Sequence, residues 1–529
     1  MVRRPAPRPR VLVPRAAGHR CAPGVASGRP VRITAHETSL TQRHLWRSAR
    51  EAIPMTRTVI VEAEQDGVSG YGEASCFMAD HYNSGLDRMH ADLRRTAPLL
   101  ATLDVDAPGG ADAVWRRLAA ALPASPFVLA ALDCAIHDLR ARLHGVPLWK
   151  SLGLDRPQGL RSSYSIGLDT PEAMLGKLRE RPGWQAYKVK LADPGDLGIL
   201  RELRRETDAP FLIDGNCGWE PARLVPALPD LHALGVRLIE QPYPRDAWEQ
   251  ARALKELSPI PVIADESITS PADLDACTAA FHGINVKPMK SGGITPALAL
   301  LRAARERGLI TMLGCMPESA AGVSATAHLG GLVDHLDVDV VDLLAVDTGQ
   351  GLTLDATGHV DLPERPGSGY LPDPTAHGWY VHQVPAERVH PVRRSAGGPA
   401  QPTASPAPSQ DDHPGTRHLA VLRRGRAVGA ASLYAEDPPD GYAVPGARPG
   451  RGRRLHGVAT LEEVRGTGAG TSLLRTALTL AALDGADTVW AQVPDAALGF
   501  CRKHGFDTLG RPLDLPDTGR HHLVHRSTR

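Results

Sequence analysis

The sequence predicts an α/β protein with three parts: an α+β capping domain, a β/α barrel, and a separate α+β domain at the C-terminus. Eight short apolar runs alternate with amphipathic helices after residue 160, and short strands with turn residues precede them. A Pro/Ala/Ser-rich stretch separates the last part. Because a chain of 529 residues exceeds one ordinary core, several domains are expected.

Charge and composition exclude several classes of partner. Lys and Arg total 60 against 59 Asp and Glu, and this net charge of +1 provides no field for gathering nucleic acid or anionic lipid. The longest apolar runs are too short to span a bilayer, so we expect a cytoplasmic protein without a membrane partner. The 7 cysteines lack the spacing of a disulfide framework or a zinc site. Small molecules are the expected partners.

The N-terminal part combines strands and helices. Residues 1–30 mix Arg, Pro and Gly without a hydrophobic period, which predicts a disordered tail. Residues 31–160 form the predicted capping domain, with an antiparallel meander of VRITAHETSL, TRTVIVEAEQDG and VSGYGEAS before helices such as SPFVLAALDCAIHDLRARLHG. Residues 348–384 have strand and turn chemistry and are expected to return to this domain.

Residues 161–347 have the rhythm of a β/α barrel, in which one strand and one helix repeat every ~25 residues. The eight predicted strands are SYSIGL, AYKVKL, APFLIDGN, VRLIEQP, IPVIADES, GINVKP, LITMLGCM and VDVVDLLA. Polar residues cluster at the C-terminal end of each run. That end is the catalytic face of such barrels.

Three carboxylates follow successive strands at this face: Asp214, Glu240 and Asp265. Converging carboxylates repel one another without a cation, and hard oxygen ligands suit Mg²⁺. We therefore predict that these three residues bind Mg²⁺. Lys188 and Lys190 lie on the preceding strand, where side chains two residues apart point to the same side.

A third lysine, Lys287, ends a strand across the barrel, and Lys290 follows it in the loop. Two lysines on opposite sides of a metal ion suit removal and return of a proton. Burial near Lys188 and Mg²⁺ is expected to favour the neutral amine that a base requires. Mg²⁺ would stabilise the enediolate that forms when a carboxylate loses its α-proton.

These motifs resemble the enolase superfamily, in its muconate-lactonizing subgroup, over residues 31–382. The resemblance rests on GYGEAS, ALDCAIHDLRARLHGVPLWKSLG, YKVKL, DGNCGW, IEQP, ADES, NVKPMKSGG and GCMPES. It implies that Lys190 and Lys287 are the two bases and that Lys188 modulates them and contacts the substrate carboxylate. Lys287 is preferred over Lys290 because it stands where the strand meets the cavity.

The subgroup contains dipeptide epimerases, N-acylamino acid racemases, o-succinylbenzoate synthases and cycloisomerases. Asp337 and Asp339 form a DxD element that looks like the one with which dipeptide epimerases bind the substrate's ammonium group. The resemblance therefore implies epimerisation of dipeptides, with Ser165 also among the substrate contacts. Val340, Val341 and Asp342 follow the DxD element, where small residues or Pro are familiar, so the identity of the dipeptide is left open. The other three activities of the subgroup remain as alternatives.

The loop LTQRHLWRSAREAIPM is expected to read the second side chain of the dipeptide. Arg43, Arg47 and Arg50 suit an acidic side chain, with Arg47 as the chosen contact, while Trp46 suits an apolar one. An ordinary surface loop explains the same residues, so the dipeptide is left open. A homo-oligomer through the barrel domain is also left open.

Residues 385–415 read as a linker and residues 416–529 as a separate domain. A hairpin, a strand, the loop Arg465-Gly466-Thr467-Gly468-Ala469-Gly470 and a helix resemble the GNAT acetyltransferase fold. The resemblance implies that Arg465, Gly466, Gly468 and Gly470 bind acetyl-CoA. Cys501 replaces the tyrosine often found in the last motif, and the acetyl acceptor is left open. The linker predicts that the two parts fold and work separately.

Overall fold

The computed structural model describes most of the chain: residues 31–47, 52–77, 82–100, 102–103, 105, 110–373, 380–396, 408–423, 426–442, 444, 446–516 and 519–528. The predicted tail, Arg50 and residues 397–407 of the predicted linker lie outside these ranges. No helix in the described part of the chain is long and apolar enough to cross a membrane.

The capping domain begins with the predicted antiparallel meander, in the order β1-β2-β3. Its strands are β1 (Arg32–Arg47), β2 (Ala52–Gln65) and β3 (Val68–Cys76). Its helices are α1 (Leu86–Leu100), α2 (Gly110–Ala121), α3 (Pro126–Leu143) and α4 (Leu148–Ser151). Helix α3 lies so close to β3 that a Cβ at Gly72 would stand 2.1 Å from the carbonyl oxygen of Ala131, so only glycine fits there.

Eight parallel strands form the barrel, in the order of the chain, as the sequence predicts. They are β4 (Tyr164–Ile166), β5 (Tyr187–Lys190), β6 (Phe211–Asp214), β7 (Val236–Glu240), β8 (Val262–Ala264), β9 (Gly283–Val286), β10 (Ile310–Gly314) and β11 (His335–Asp337). A parallel bridge between Ser162 and Leu336 joins the first strand's entry to the last strand. The predicted α/β class is confirmed.

Helices pack around the barrel, and their apolar faces share one core with the strands. They are α5 (Pro171–Glu180), α6 (Gly198–Glu206), α7 (Pro221–Ala233), α8 (Trp248–Leu257), α9 (Leu274–Ala280), α10 (Pro288–Ser291), α11 (Ile294–Glu306), α12 (Ala320–Ala327) and α13 (Val340–Leu343). Three short 3-10 turns, at Pro271–Asp273, Gly330–Leu332 and Glu462–Val464, complete the helical elements.

The eighth strand differs from the prediction. It comprises β11, His335–Asp337, and the predicted run VDVVDLLA instead contributes the short helix α13. The β-branched run Val338, Val340 and Val341 suggests a strand, but its main chain turns at Asp339, whose φ and ψ are −73° and −2°. Burial of Val338 and Val340 against the barrel core explains their apolar character.

The C-terminal domain is a seven-stranded sheet in the order β16-β17-β18-β19-β20-β22-β21. Two small hairpin pairs precede it: β12 (Gly349–Gln350) with β15 (Leu371–Pro372), and β13 (Thr353–Leu354) with β14 (Val360–Asp361). The sheet strands are β16 (Tyr380–Val384), β17 (Arg417–Arg423), β18 (Arg426–Tyr434), β19 (Gly452–Thr460), β20 (Thr488–Pro494), β21 (Asp507–Leu515) and β22 (Gly519–Ser527). Its helices are α14 (Ala386–Ala396), α15 (Pro408–Asp411), α16 (Ala469–Leu483) and α17 (Asp495–Lys503).

The boundary predicted between residues 384 and 385 is wrong. Strand β16 pairs with β17 in the C-terminal sheet, with Val381 opposite Val421. It contacts the capping domain only from this sheet's edge, where the Val381 carbonyl oxygen lies 3.2 Å from His36 Nδ1 of β1. Helix α14, inside the predicted linker, buries Val389 and Val392 against Ala430 of β18. The Pro/Ala/Ser-rich composition predicted a linker and gave no indication of this strand and helix. Cutting at residue 395 would therefore remove an edge strand and a helix from the C-terminal domain.

The two parts of the molecule are also joined by a buried charge cluster. Glu37 of β1 accepts a hydrogen bond of 2.9 Å from Ser472 Oγ of α16 and lies 3.3 Å from the Arg475 guanidinium. Arg57 of β2 donates to both Glu37 and Ser472. His90 of α1 completes the contact through Thr479, at 2.8 Å. A specific interface thus joins the two parts, and their separate folding and activity stay a prediction.

Glu37→Gln is expected to destabilise this interface by about 3 kcal/mol, because the change leaves the half-buried Arg57 without its counter-charge and Arg475 with only the exposed Asp87. Thermal unfolding of the full-length protein measures the loss. The matched control is Glu64→Gln, which removes an ion pair between Glu64 and the exposed Arg32 on the same sheet. That change should cost less than about 1 kcal/mol. Equal effects of the two variants would contradict the role given to Glu37.

Glu37 also predicts how stability depends on pH. Burial opposes ionisation, but the imidazole of His90 and the charges of Arg475 and Arg57 outweigh it and lower the pKa of Glu37 to about 2. Burial lowers the pKa of His90 itself, so the arginines supply the permanent charge. The stabilisation from Glu37 is therefore complete above about pH 5 and is lost as the pH falls towards 2. The stability difference between wild type and Glu37→Gln should shrink over that range.

Candidate active site

A cavity of about 840 Å³ opens at the C-terminal mouth of the barrel. Barrel side chains form its floor, and Gln42, Phe77 and Tyr82 of the capping domain form part of its wall. The capping domain therefore covers the face where polar residues end the strands. Such a position, between two units, is typical of a substrate site.

The three predicted metal ligands lie side by side below this mouth. Asp214 ends β6 directly opposite Glu240 at the end of β7, and Asp265 follows β8. All three are buried, at 2%, 0% and 2% exposure, and Asp214 and Asp265 line the cavity. Three neighbouring strands thus bring together three carboxylates that stand 25 to 51 residues apart in the chain.

Lysine ammonium groups lie against these carboxylates. Lys188 Nζ is 2.8 Å from Glu240 Oε2 and 3.5 Å from Asp214 Oδ2, and Lys287 Nζ donates a hydrogen bond of 2.7 Å to Asp265 Oδ2. Within the described ranges, no group of three or more acidic, His or Cys side chains stands in metal-binding positions. The lysines hold the carboxylates as ion pairs instead.

The chemistry of the donor set nevertheless fits a hard divalent cation. Three carboxylates offer only oxygen ligands, which Mg²⁺ prefers. Glu240 Oε2 is buried and accepts no hydrogen bond, although the Lys188 ammonium is near. Burial and the negative charges of Asp214 and Asp265 raise the pKa of Glu240 to about 8 against the opposing charge of Lys188. Additional positive charge at this position would be favourable.

The lysines occupy opposite walls of the cavity. Lys188 and Lys190 both project from β5 into it, and Lys287 follows β9, four strands away in a ring of eight. Lys190 donates hydrogen bonds of 3.0 Å to Asp214 Oδ2 and 2.7 Å to Asn216 Oδ1. A substrate between these walls has a lysine on each face.

The carboxylates beside these lysines favour the protonated form of each amine. Burial opposes protonation of Lys287, but the charge of Asp265 outweighs it and raises the pKa of Lys287. The charges of Asp337, Glu240 and Asp214 likewise outweigh burial and raise the pKa of Lys188 well above its usual value. The neutral amine was predicted for a site that also holds Mg²⁺, so that expectation stays a prediction.

Lys290 differs from Lys287 in position. It is buried at 1% exposure, donates to the main-chain oxygen of Asp265 at 2.5 Å, and also contacts the Asp265 carboxylate. Lys287 lines the cavity, and Lys290 lies outside its lining. Lys290 therefore positions Asp265 from behind.

The DxD residues reach the cavity from a turn, whereas the sequence predicted an extended segment. Asp337 ends β11, and Asp339 is the N-cap residue of α13, yet both line the cavity. Lys188 neutralises Asp337 at 2.9 Å. Ser165 donates from its main-chain N to Asp339 Oδ2 at 2.6 Å. No described cation forms an ion pair with Asp339, and burial, reinforced by the charge of Asp337, raises its pKa well above the usual value.

The predicted specificity loop is described only in part. Arg47 ends β1, opposite Ala52, but its side chain and that of Trp46 lie outside the described residues. Arg43 Nε donates to the carbonyl of Leu344 at 3.0 Å, so it ties the loop to the barrel. Among the described side chains of this strand, Gln42 lines the cavity.

Sequence reasoning missed several residues of the site. Asn216 and Gln241 both have positive φ, at 43° and 33°, which is uncommon outside glycine and concentrates at functional sites. Gln241 Oε1 accepts from the main-chain N of Asp265 at 2.9 Å and so fixes the loop that carries Asp265. The quoted motifs DGN and EQP contain both residues, but the motifs alone do not show which atoms they hold.

The predicted phosphate cradle lies in the C-terminal domain. Arg465, Gly466 and Gly468 are exposed, and Gly468 precedes α16 with a φ of 93°. A Cβ on Gly466 would meet no atom within 4 Å. Cys501 is buried on α17, and burial raises the pKa of its thiol. The loop is open to a ligand, while Cys501 faces the core.

This combination of capping domain, barrel and convergent Lys and carboxylate residues defines an enzyme of the enolase superfamily. The chain belongs to the mandelate racemase/muconate lactonizing enzyme family of that superfamily and carries a GNAT acetyltransferase domain. The matching family models are the Mandelate racemase / muconate lactonizing enzyme N-terminal domain over residues 31–153, Enolase C-terminal domain-like over 172–376, and the Acetyltransferase (GNAT) family over 387–506. The resemblance predicted from the motifs is confirmed.

Its relatives include epimerases, so the enzyme class is that of the isomerases. An L-Ala-D/L-amino acid epimerase of Flavobacterium johnsoniae is 36% identical over 61% of this chain and 95% of the relative. An L-Ala-D/L-Glu epimerase of Bacteroides thetaiotaomicron is 31% identical over 65% of this chain and 88% of the relative. The structure of a dipeptide epimerase from Methylococcus capsulatus complexed with Mg and L-Arg-D-Lys matches with a TM-score of 0.60 and 32% identity, covering 65% and 99% of the two chains.

Proposed function

We propose that the barrel epimerises dipeptides by removing and returning the α-proton next to their carboxylate. The observation that carries this proposal is the pair Lys190 and Lys287 on opposite walls of one cavity. One base on each face is what inversion at a carbon requires. The dipeptide epimerases among the relatives support the substrate class.

The chemistry follows from where the two lysines stand. The neutral amine of one lysine takes the α-proton, the C–H bond breaks, and its electron pair moves into the carboxylate to form an enediolate. The ammonium of the opposite lysine then donates a proton to the other face of the carbon. A divalent cation held by Asp214, Glu240 and Asp265 would supply charge stabilisation for the substrate carboxylate. Lys188, beside Glu240, adds a fixed positive charge at the same wall.

The free amino group of the dipeptide has a matching counter-charge. Asp337 already pairs with Lys188, whereas Asp339 is held by Ser165 alone among the described residues. A buried carboxyl group without a cation is unfavourable as the anion, and a substrate ammonium beside it removes that penalty. This arrangement favours a dipeptide over an N-acylated amino acid, which has no ammonium to offer.

Asp339→Asn is expected to raise the KM for dipeptides about tenfold or more, because the bound ammonium loses its counter-charge. Steady-state kinetics with free and N-acetylated dipeptides measure the effect, and the wild type should use the acetylated form poorly. The matched control is Asp342→Asn in the same helix, since Asp342 pairs with Arg181 outside the cavity. A preference for N-acylated amino acids would replace the proposal with the racemase alternative.

We further propose that the C-terminal domain binds acetyl-CoA at the loop containing Arg465, Gly466, Gly468 and Gly470. The exposed main chain of this loop and the start of α16 offer N–H groups to a pyrophosphate. The match to the acetyltransferase family supports this ligand. An amine is the expected acceptor, and buried Cys501 is a poor substitute for an acidic tyrosine.

Gly468→Ala is expected to weaken acetyl-CoA binding about tenfold or more, because a Cβ obstructs the approach of phosphate and strains a φ of 93°. Calorimetry on the full-length protein measures the affinity. Gly441→Ala provides a control with the same backbone strain in another loop, since Gly441 has a φ of 88° and nothing within 4 Å of an added Cβ. If both variants bind acetyl-CoA like the wild type, the cradle lies elsewhere.

A further inference from the structure

A second cavity, of about 660 Å³, lies where the capping domain meets the acetyltransferase domain. Both domains contribute cations to its lining. Arg94 comes from α1 of the capping domain, while Arg475 of α16, Lys503 of α17 and Arg526 of β22 come from the other side. Among the described residues that line the cavity, Asp87 is the single carboxylate.

The cations outnumber the charges that could balance them. Arg475 pairs with Glu37 at 3.3 Å and with Asp87 at 3.1 Å, and Asp87 is 96% exposed, so water screens it. Arg94, Lys503 and Arg526 form no ion pair with any carboxylate in the described part of the chain. Burial, with the charges of Arg526 and Arg475, lowers the pKa of Arg94 to about 10. These like charges are held together at a cost that a bound anion would offset.

The geometry suits an anion with more than one negative charge. Guanidinium groups bind phosphate oxygens through paired N–H donors, and a lysine adds a point charge. The lining residue His504 also stands 3.2 Å from Thr471 Oγ1 in the first turn of α16. The cavity therefore lies beside the helix that follows the glycine loop.

We propose that this interdomain cavity binds a phosphate dianion, held jointly by Arg94 of the capping domain and by Arg475, Lys503 and Arg526 of the acetyltransferase domain. The dianion is either the phosphate monoester of the coenzyme or free inorganic phosphate. Since neither domain alone supplies the whole site, occupancy strengthens their contact. The site does not depend on the epimerase reaction, because the barrel cavity shares none of its residues.

The test uses the full-length protein in phosphate-free buffer and three titrants: inorganic phosphate, acetyl-CoA, and acetyl-CoA lacking its 3′-phosphate. Arg94→Gln and Lys503→Gln are the probing variants. Arg95→Gln and Arg502→Gln are their matched controls, since each removes a neighbouring cation that does not line the cavity. Lys503 is exposed, so its variant should fold even if Arg94→Gln does not.

The proposal predicts that both probing variants weaken binding of one phosphate-bearing titrant about tenfold, while the controls change it less than about twofold. If the probing variants weaken binding of intact acetyl-CoA alone, the coenzyme's phosphate is the occupant. If they weaken binding of inorganic phosphate alone, the free ion is the occupant. Equal effects of probing and control variants, or no effect on either titrant, would overturn the proposal. A wild type that binds phosphate but not acetyl-CoA contradicts the acetyltransferase proposal alone.

Discussion

Lys190→Ala and Lys287→Ala are each expected to lower the rate of epimerisation by at least about 10²-fold to 10⁴-fold. The reason is that each lysine serves one face of the substrate carbon. Each variant should still exchange deuterium from solvent into one epimer of the dipeptide, and the two variants should differ in which epimer exchanges. Proton NMR in D₂O follows both processes in one sample. Normal epimerisation in both variants would refute the two-base scheme.

Two further variants serve as controls. One distinguishes a role of Lys287 in proton transfer from a role as a fixed positive charge, and the other tests whether loss of any lysine lowers activity. Lys287→Arg keeps the positive charge beside Asp265, but a guanidinium does not lose its proton near neutral pH, so this variant should fail as Lys287→Ala does. Lys150→Ala removes an exposed lysine on α4 that does not line the cavity, so this variant should retain full activity. Activity in Lys287→Arg would show that Lys287 contributes charge alone.

Asp214→Asn, Glu240→Gln and Asp265→Asn are expected to lower activity by orders of magnitude, because each removes a charged ligand from the proposed Mg²⁺ site. Thorough chelation should abolish wild-type activity, and Mg²⁺ should restore it. Direct binding of Mn²⁺, measured by electron paramagnetic resonance, should weaken in the same variants.

The control for the metal variants is Asp230→Asn on the exposed face of α7, which should leave both metal binding and activity unchanged. Asp265 needs a separate check of folding, because it also pairs with Lys287 and Lys290. Full activity after chelation would remove the metal from the mechanism. Unchanged Mn²⁺ binding in all three ligand variants would place the metal at another site.

Sequence patterns predicted the barrel and its face because both depend on local periodicity. Apolar runs fix the strands, and a polar residue at the end of a run, such as Asp214 or Glu240, must project at the mouth. The predicted boundary of the last strand was wrong because Val340 and Val341 are β-branched residues that favour strands, while the main chain turns before them. The local pattern of apolar residues does not indicate that turn.

Features built across distant elements could not be predicted in this way. Strand β16 looks like part of the preceding segment until its pairing with β17 is known. The contact of Glu37 with Ser472 joins residues 435 positions apart, and Arg94 meets Arg526 in the same interface. The ion pairs of Lys188 and Lys287 likewise arise only when strands bring acids and bases together. Such contacts have no signature in local composition.

The most direct test of the central claim is incubation of the wild-type enzyme with Mg²⁺ in D₂O and a library of dipeptides, followed by proton NMR. The account predicts that deuterium enters the α-carbon next to the carboxylate, that the opposite epimer accumulates, and that N-acetylated counterparts react poorly. Exchange confined to N-acylated amino acids, or no exchange in any dipeptide by an enzyme shown to be folded, would contradict it.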